Sequence, residues 1–309
     1  MAKNILKNLI AFGIGISVLL YLLTGIGFDR IYNLLIGIRL EYFILAASAY
    51  FITDVISSFA VREGIDKKLS ILQILQSHMC GMFYSSVTPG RVGYYYTAFS
   101  LSKKTSDPRS GNIGILTVIQ GIYFFTKIFL CILALLYFSR FLLTQESMNY
   151  LIIASALPLV FVIGIILIIY TNLPNRVLSR FRIFHKSLNY LSVMQDSCRR
   201  ISKKNLIEIT VLGFIGWITM SIQWFFIALS LNSSISVIDA LMLQPLLTTI
   251  MFVPFSPSGL GFTEGGSEFL FTLINPEPGM GVTFMLLIRL NSILVDSLGL
   301  LDMRIHAKS

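Results

Sequence analysis

Charged residues are scarce in this sequence. Asp, Glu, Lys and Arg make up 13% of its 309 residues, and hydrophobic residues make up 55%. Soluble domains carry roughly 25% charged residues, so this chain has too few to cover a water-facing surface. The scarcity excludes an ordinary soluble protein. It predicts an all-α integral membrane protein, whose backbone is satisfied within its own helices.

Cysteine and histidine are also rare, with three of each. No CxxC pair or Cys/His cluster occurs, which argues against a disulfide framework and a zinc site. We therefore expect no metal and no cofactor. Basic residues are in excess, with a net charge of +9. In so apolar a chain this excess indicates anionic membrane lipid, and not nucleic acid, as the partner.

Six stretches are long and apolar enough to span a bilayer. Two shorter apolar segments, 71–84 and 241–254, end at proline and glycine clusters, where a helix breaks. We interpret both as re-entrant hairpins, which membranes tolerate only inside protein or beside a wet cavity. The six predicted spans are 5–23, 42–61, 112–138, 150–170, 206–229 and 282–301.

The basic residues indicate how the chain is oriented. If the N-terminus is inside and each hairpin returns to its own side, most of the 24 Lys and Arg residues lie in the cytoplasm. Only Arg30, Arg39 and Arg140 then lie outside. This predicts a multi-pass protein of the cell membrane with both termini cytoplasmic. The basic segment 171–205 has apolar residues at helical spacing, which favours an interfacial amphipathic helix over a plain loop.

The two broken segments align with each other without a gap. The matching pairs are Leu75-Gln76 with Leu243-Gln244, Thr88-Pro89 with Ser256-Pro257, and Val92-Gly93-Tyr94 with Leu260-Gly261-Phe262. Each half would hold two spans, a hairpin and a third span, so the second half is inverted. We predict one membrane domain, 1–309, with inverted repeats at 1–138 and 150–301. Inverted repeats with broken helices are typical of transporters.

Six charged residues are predicted to lie within the membrane, where each costs about 2.5–3.5 kcal/mol. The functional interpretation is a cavity for an anionic headgroup, because arginine can hold a phosphate by two parallel hydrogen bonds. Structural ion pairs between helices are the alternative. The cations are Arg91, Lys127 and Arg289, and the carboxylates that would neutralise them or bind a coupling proton are Asp54, Glu264 and Asp296.

The two breaks carry a resemblance to a known family. They read Thr88-Pro89-Gly90-Arg91-Val92-Gly93 and Ser256-Pro257-Ser258-Gly259-Leu260-Gly261, with Glu264-Gly265 after the second. Here the chain resembles the flippase-like membrane domain of bacterial lysylphosphatidylglycerol synthases, which also occurs as a stand-alone protein in bacteria and archaea. Its hydropathy is similar over nearly the whole chain. Where that family often has an acidic residue and a glycine, this chain has Tyr94 and Ser258.

The resemblance implies a lipid flippase. In the synthases this domain moves an aminoacylated lipid to the outer leaflet, and a separate soluble domain makes that lipid. Some archaeal relatives are linked with polyprenyl or dolichyl phosphate sugars. Since the sequence ends at Ser309, just after the last predicted span, we expect no synthase domain in it. We expect a non-enzymatic flippase for a phospholipid or a lipid-linked sugar.

Two alternatives stay open. A membrane transferase acting on lipid phosphates would need a base or nucleophile with a partner, for which the close spacing of Glu264 and Glu268 is the one candidate. Alternatively, the chain is the membrane partner of a separately encoded synthase. The basic segment 176–186 would then serve as the docking surface.

Overall fold

The architecture is helical, as the sequence predicts. The computed structural model describes residues 2–301 except 66–67, 106–107, 140, 142–148, 150–158, 161, 165, 180–184 and 253, and no strand occurs among them. The helices are α1 (Ala2–Ile26), α2 (Phe28–Ile36), α3 (Leu40–Gly64), α4 (Ile71–Ser86), α5 (Tyr96–Leu101), α6 (Arg109–Ser139), α7 (Leu173–Leu178), α8 (His185–Arg199), α9 (Lys203–Ser230), α10 (Val237–Ile250), α11 (Phe262–Ile274) and α12 (Met280–Asp296), with 3-10 helices at Val92–Tyr95 and Ser297–Leu300.

Four of these helices are long and apolar enough to cross a membrane, namely α3, α6, α9, and α12 with its 3-10 extension. They correspond to four of the six predicted spans. The first predicted span corresponds to α1, which together with α2 is bent by 89°. The predicted span 150–170 lies largely outside the described residues, so the structure leaves it a prediction. Many apolar side chains point outward, as lipid contact requires; examples are Phe125, Leu136 and Ile207.

Helix α2 is a feature that the sequence did not predict. It begins after Gly27, whose φ of 99° lies in the region that favours glycine and turns the chain away from α1. Its Ile31 is buried, whereas Tyr32 and Ile36 are exposed. At nine residues the helix is too short to span. The sequence prediction ended the first span at residue 23 and assigned no helix to residues 28–36.

Both hairpin helices begin with a serine capping box. In α4 the backbone N–H of Gln73 donates to Ser70 Oγ over 3.3 Å, and in α10 that of Asp239 donates to Ser236 Oγ over 3.1 Å. Each box satisfies two backbone donors at the start of its helix. The second helix thus runs one turn earlier than the predicted segment 241–254, because the box at Ser236 had been overlooked.

The long helices α3 and α9 make the most extensive helix pair in the described part of the chain. Thr53 Oγ1 on α3 donates to Thr219 Oγ1 on α9 over 2.9 Å. Gly216 leaves room for Ile56 to pack against α9, as small residues do in membrane helix pairs. Each hairpin packs into its own apolar cluster, the first around Ile74, Leu116 and Ile119, the second around Leu243, Phe271 and Phe284.

Part of the basic segment 171–205 is helical, as predicted. Helix α8 packs against the beginning of α6, where a Cβ on Gly114 would lie 2.4 Å from Met194 Cγ. The buried Gln195 donates to the carbonyl oxygens of Ile168 and Thr171 over 2.7 and 3.1 Å. The segment therefore contacts the bundle through α8. Phe181 and Phe184 of the predicted apolar stripe lie outside the described residues.

Candidate functional site

The two helix breaks meet in the structure. The backbone N–H of Ser258 donates to the carbonyl oxygen of Thr88 over 3.2 Å, and Pro89 and Pro257 form an antiparallel bridge. Pro89 and Pro257 are also matching positions in the predicted repeat. Matching residues contact each other where they lie beside a two-fold axis, so this contact is consistent with the predicted inverted repeat. The sequence had left open whether the hairpins touch.

The two breaks also share a rare backbone conformation. Gly90 and Arg91 have φ values of 60° and 58°, and the matching Ser258 and Gly259 have 45° and 72°. A non-glycine residue in this left-handed region costs about 1–2 kcal/mol, yet each break holds one. Such strain persists only where surrounding contacts fix it, commonly at functional sites. The inverted repeat remains a prediction, and it accounts for this match.

Side-chain hydroxyls and close-packed glycines fix both turns. Thr88 Oγ1 donates to the carbonyl oxygen of Tyr84 over 2.9 Å and accepts from the N–H of Gly93 over 2.8 Å. A Cβ on Gly93 would lie 2.2 Å from that same carbonyl oxygen. In the second break Ser256 Oγ donates to the carbonyl oxygen of Leu260 over 2.8 Å. The proline and glycine positions predicted from the sequence thus form two tightly packed turns.

Glu264 is fully buried beside the second break. Its Oε2 accepts from the Gly261 N–H over 2.7 Å and from Thr263 Oγ1 over 2.9 Å, while its Oε1 accepts from Arg289 Nη2 over 3.0 Å. Arg289 Nη2 also lies 3.2 Å from the carbonyl oxygen of Ser258. The carboxylate and the guanidinium form a neutral pair, and this pair ties α12 to the second break.

Arg91 at the first break has different partners. Its Nε and Nη2 donate to Ser85 Oγ over 3.3 and 3.1 Å, and its remaining contacts are the sulfur atoms of Met82 and Met251 and the ring of Phe252. Within the described residues, no carboxylate forms an ion pair with it. A guanidinium has five N–H donors, so Arg91 keeps both charge and donor capacity for an anion.

A cavity of about 50 Å³ lies between the breaks. Arg91 and Arg289 both line it, together with Tyr50, Gln223, Thr248 and Ser258, and the described lining contains no acidic residue. Two cations therefore face the cavity, and one of them, Arg289, is paired with Glu264. The arrangement is electropositive and favours binding of an anion.

Lys127 is caged by three aromatic rings and does not line this cavity. Its Nζ lies 5.0 Å from the ring centroid of Phe124, 5.3 Å from that of Trp217 and 4.7 Å from that of Phe252. Such rings attract a cation through their negative faces. Since Phe252 also contacts Arg91, the two cations share one ring. The structure thus places the predicted headgroup contact Lys127 outside the cavity wall.

Asp54 and Asp296 form a separate buried group outside the cavity wall. Asp54 is 2% exposed and Asp296 is fully buried, and their carboxyl groups lie within hydrogen-bonding reach of each other. Tyr50 Oη donates to Asp296 Oδ2 over 3.2 Å, and His78 Nε2 lies 3.5 Å from Asp54 Oδ1. Sequence reasoning missed Tyr50 and His78, because the aspartate that each one contacts, Asp296 and Asp54 respectively, lies on a different helix.

Glu268, the second member of the candidate acid pair, has a helix-capping position. Its carboxylate accepts from the backbone N–H groups of Gly279 and Val282 over 2.7 and 3.1 Å, at the start of α12. A negative charge there is favourable because the helix N-terminus is positive. Glu264 and Glu268 are thus both engaged in contacts that hold the fold.

The comparisons with known proteins agree with this architecture. The family described as the lysylphosphatidylglycerol synthase TM region matches residues 8–299. The chain belongs to this family. Family members with similar sequences include a UPF0104 membrane protein from Pyrococcus horikoshii, 25% identical over 95% of both chains. Another, from Methanocaldococcus jannaschii, is 25% identical over 68% of this chain and 88% of its own. No solved structure matches the chain significantly.

Membership of the lysylphosphatidylglycerol synthase TM region family confirms the family resemblance read from the two breaks. It also accords with a multi-pass membrane protein, since the match spans nearly every described helix. The match covers both breaks and all six charged residues that the sequence places in the membrane. Family membership alone does not assign those residues a role.

Proposed function

We propose that this protein moves an anionic lipid across the cell membrane, with the lipid phosphate held between the two helix breaks. The observation that carries the proposal is the unneutralised guanidinium of Arg91 on a cavity that contains a second arginine. A charge this costly in a membrane is retained where it binds a substrate or lines its path. Phospholipids and polyprenyl phosphates share the phosphate that Arg91 would bind.

The breaks supply the rest of the proposed phosphate site. Irregular backbone at membrane depth is tolerated where it lines a cavity, and transporters place their substrate sites at such broken helices. Ser258 and Gln223 are both in the lining, and the Gln223 amide donates to Asn291 Oδ1 over 3.0 Å. These polar groups can orient a headgroup without adding negative charge.

Transport requires the cavity to open. One water occupies at least 10–15 Å³ by the same measure, so a cavity of about 50 Å³ has room for a few waters and none for a lipid headgroup. We infer that the structure is an occluded conformation. Rocking of one half against the other about the paired breaks would open the cavity to each side in turn.

The proposed orientation places both termini and α8 in the cytoplasm, where the basic residues of the 171–205 segment would face anionic lipid. In this account a separately encoded synthase is the source of the lipid. The protein itself makes and breaks no covalent bond.

The test is lipid movement in proteoliposomes that contain headgroup-labelled phosphatidylglycerol, a polyprenyl phosphate or zwitterionic phosphatidylcholine. We expect the purified protein to move one of the two anionic lipids, and we expect Arg91→Ala to lower that rate at least about tenfold, equivalent to about 1.4 kcal/mol of activation free energy. The matched control is Arg200→Ala, since Arg200 is exposed beyond α8. Failure of the folded wild-type protein to move either anionic lipid would overturn the proposal and favour a partner subunit or a transferase.

A further inference from the structure

A buried carboxyl pair connects three helices next to the proposed phosphate cavity. Asp54 lies on α3, Asp296 ends α12, and His78 of α4 lies against Asp54 at 3.5 Å. All three side chains are at least 96% buried. Two ionised carboxylates in contact at such a position repel strongly, so the pair holds a shared proton in at least part of its working cycle.

The cluster has more hydrogen-bond acceptor atoms than polar hydrogen atoms to donate to them. Within the described residues, Asp54 Oδ2 receives no hydrogen bond, and neither ring nitrogen of His78 has a hydrogen-bond partner. Buried polar atoms are rarely left without partners, and each exception calls for an explanation. One proton added to the Asp54–Asp296 pair would supply this explanation, because it converts one carboxylate oxygen from an acceptor into a donor.

We propose that Asp54, Asp296 and His78 form a proton-binding site that is coupled to anion binding at Arg91. The inference rests on the proposed function for its transport role, whereas proton binding itself stands independently of it. Tyr50 connects the two sites, because its Oη donates to Asp296 and the same tyrosine lines the cavity beside Arg91. A proton on the pair therefore alters a side chain of the phosphate cavity.

The sign of the coupling follows from charge. Arg91 interacts electrostatically with Asp54, Asp296, Tyr50 and His78. A phosphate bound to Arg91 offsets its positive charge, so a proton on the carboxyl pair becomes more favourable. By linkage, a proton on the pair strengthens phosphate binding by the same factor. Proton and anionic lipid thus bind together, which is the requirement for symport.

Among the described residues, the charged side chains on the other neighbouring elements are paired, enclosed or distant in sequence from the cluster. Helix α9 packs along α3 and has no charged residue after Glu208 in its first turns. Lys127 of α6 is enclosed by aromatic rings, and Arg289 is paired with Glu264. No group of three His, Cys, Asp or Glu side chains in the described part of the chain is placed to hold a metal ion. The arrangement therefore favours a proton over a metal cation as the ligand.

The first experiment measures binding of a short-chain phosphatidylglycerol to the purified full chain at acidic and at neutral pH. The wild type should bind about tenfold more tightly at acidic pH, within the usual range of coupling between two sites. Asp296→Asn and Asp54→Asn, which mimic the protonated side chain, should lose this pH dependence. Asp196→Asn, on the exposed face of α8, is the matched control and should retain it.

A second experiment tests proton binding without any lipid. Infrared difference spectra between acidic and neutral pH should show a carboxylic acid C=O band in the wild type. The band should disappear in the Asp54→Asn, Asp296→Asn double variant and remain in Asp196→Asn. Retention of the band in the double variant overturns the proton site, whether or not the protein moves lipid.

The outcomes separate this inference from the proposed function. Lipid binding with the same affinity at both pH values overturns the coupling and leaves the phosphate site standing. No lipid binding at either pH, together with the expected infrared band, overturns the proposed function and leaves the proton site standing. In proteoliposomes, acceleration by a proton gradient that Asp296→Asn abolishes supports the coupling, whereas acceleration by a sodium gradient at constant pH contradicts it.

Discussion

The two helix breaks have the same backbone and different charges. Matching residues Gly90 and Ser258, and Arg91 and Gly259, all have positive φ. Beside the second break, however, Glu264 neutralises Arg289 over 3.0 Å. The first break has Tyr96 at the position that matches Glu264. Among the described residues, the close partners of Arg91 are a hydroxyl, two sulfur atoms and an aromatic ring.

This difference indicates that the two breaks have different roles. The charges at the second break neutralise each other, since both oxygens of Glu264 accept hydrogen bonds and its ion pair with Arg289 joins α11 to α12. At the first break, the positive charge of Arg91 faces the shared cavity without a paired carboxylate among the described residues. An approximately symmetric backbone can thus support one structural ion pair and one anion site.

Breaking the ion pair at the second break should have the largest effect. Glu264→Gln leaves Arg289 buried without its counter-charge, which costs about 3–5 kcal/mol for a buried pair. The matched control is Glu41→Gln, whose partner Arg39 lies 3.1 Å away on an exposed face, where solvent screening leaves an ion pair little effect on stability. Thermal unfolding in detergent, followed by size-exclusion chromatography, measures both. Equal stabilities of the two variants would contradict a structural role for the Glu264 pair.

Filling the first turn should have the next largest effect. Gly93→Ala places a Cβ 2.2 Å from the carbonyl oxygen of Tyr84, so the turn must shift, at a cost of about 1–3 kcal/mol. Gly13→Ala is the control, because no atom lies within 4 Å of its added Cβ. The same unfolding assay compares them. If Gly93→Ala unfolds at the wild-type temperature, the first turn is not held as tightly as the structure indicates.

Neutralising Arg91 in place sharpens the contrast without removing the arginine. Met251 Sδ lies 3.7 Å from Arg91 Nη1, so Met251→Glu puts a carboxylate beside the guanidinium and makes the first break resemble the second. Anionic lipid binding should fall by at least about tenfold, or 1.4 kcal/mol. Met251→Gln has the same shape without the charge and should bind as the wild type does. Equal loss in both variants would mean that shape, and not charge, sets the affinity.

Relaxing the second turn should have the smallest effect. Ser258→Gly removes a left-handed serine with φ of 45° and should raise stability by about 1 kcal/mol. Ser258 lines the cavity, but the substitution removes no charge, so lipid binding should change little. A loss of stability on this substitution would show that the serine side chain holds the turn more than its backbone strains it.

Sequence reasoning located the breaks because proline and glycine interrupt a helix through their own backbone properties, which are visible in the local sequence. It also found the charged residues, since charge is conspicuous in an apolar chain. It could not group them. Arg289 pairs with Glu264, and Asp54 contacts Asp296, only through tertiary packing. The aromatic cage of Lys127 likewise draws on three separate segments, so its exclusion from the cavity wall had no local signal.

The boundary errors have similar causes. Helix α10 starts one turn before the predicted segment because a serine cap, and not hydropathy, sets its first residue. Helix α2 continues the apolar pattern of α1, and only the backbone of Gly27 separates the two. Tyr50 and His78 lie on apolar helices in the sequence, and their polar role depends on which carboxylate packs against them.

The most direct test of the central claim is the affinity of purified protein for an anionic lipid, measured by native mass spectrometry for the wild type, Arg91→Gln and Arg200→Gln. We predict that the affinity for the anionic lipid falls at least about tenfold in Arg91→Gln and is unchanged in Arg200→Gln. A zwitterionic lipid should bind weakly to all three proteins. An unchanged affinity in folded Arg91→Gln would contradict this prediction, because the open charge at the first break would then hold no lipid.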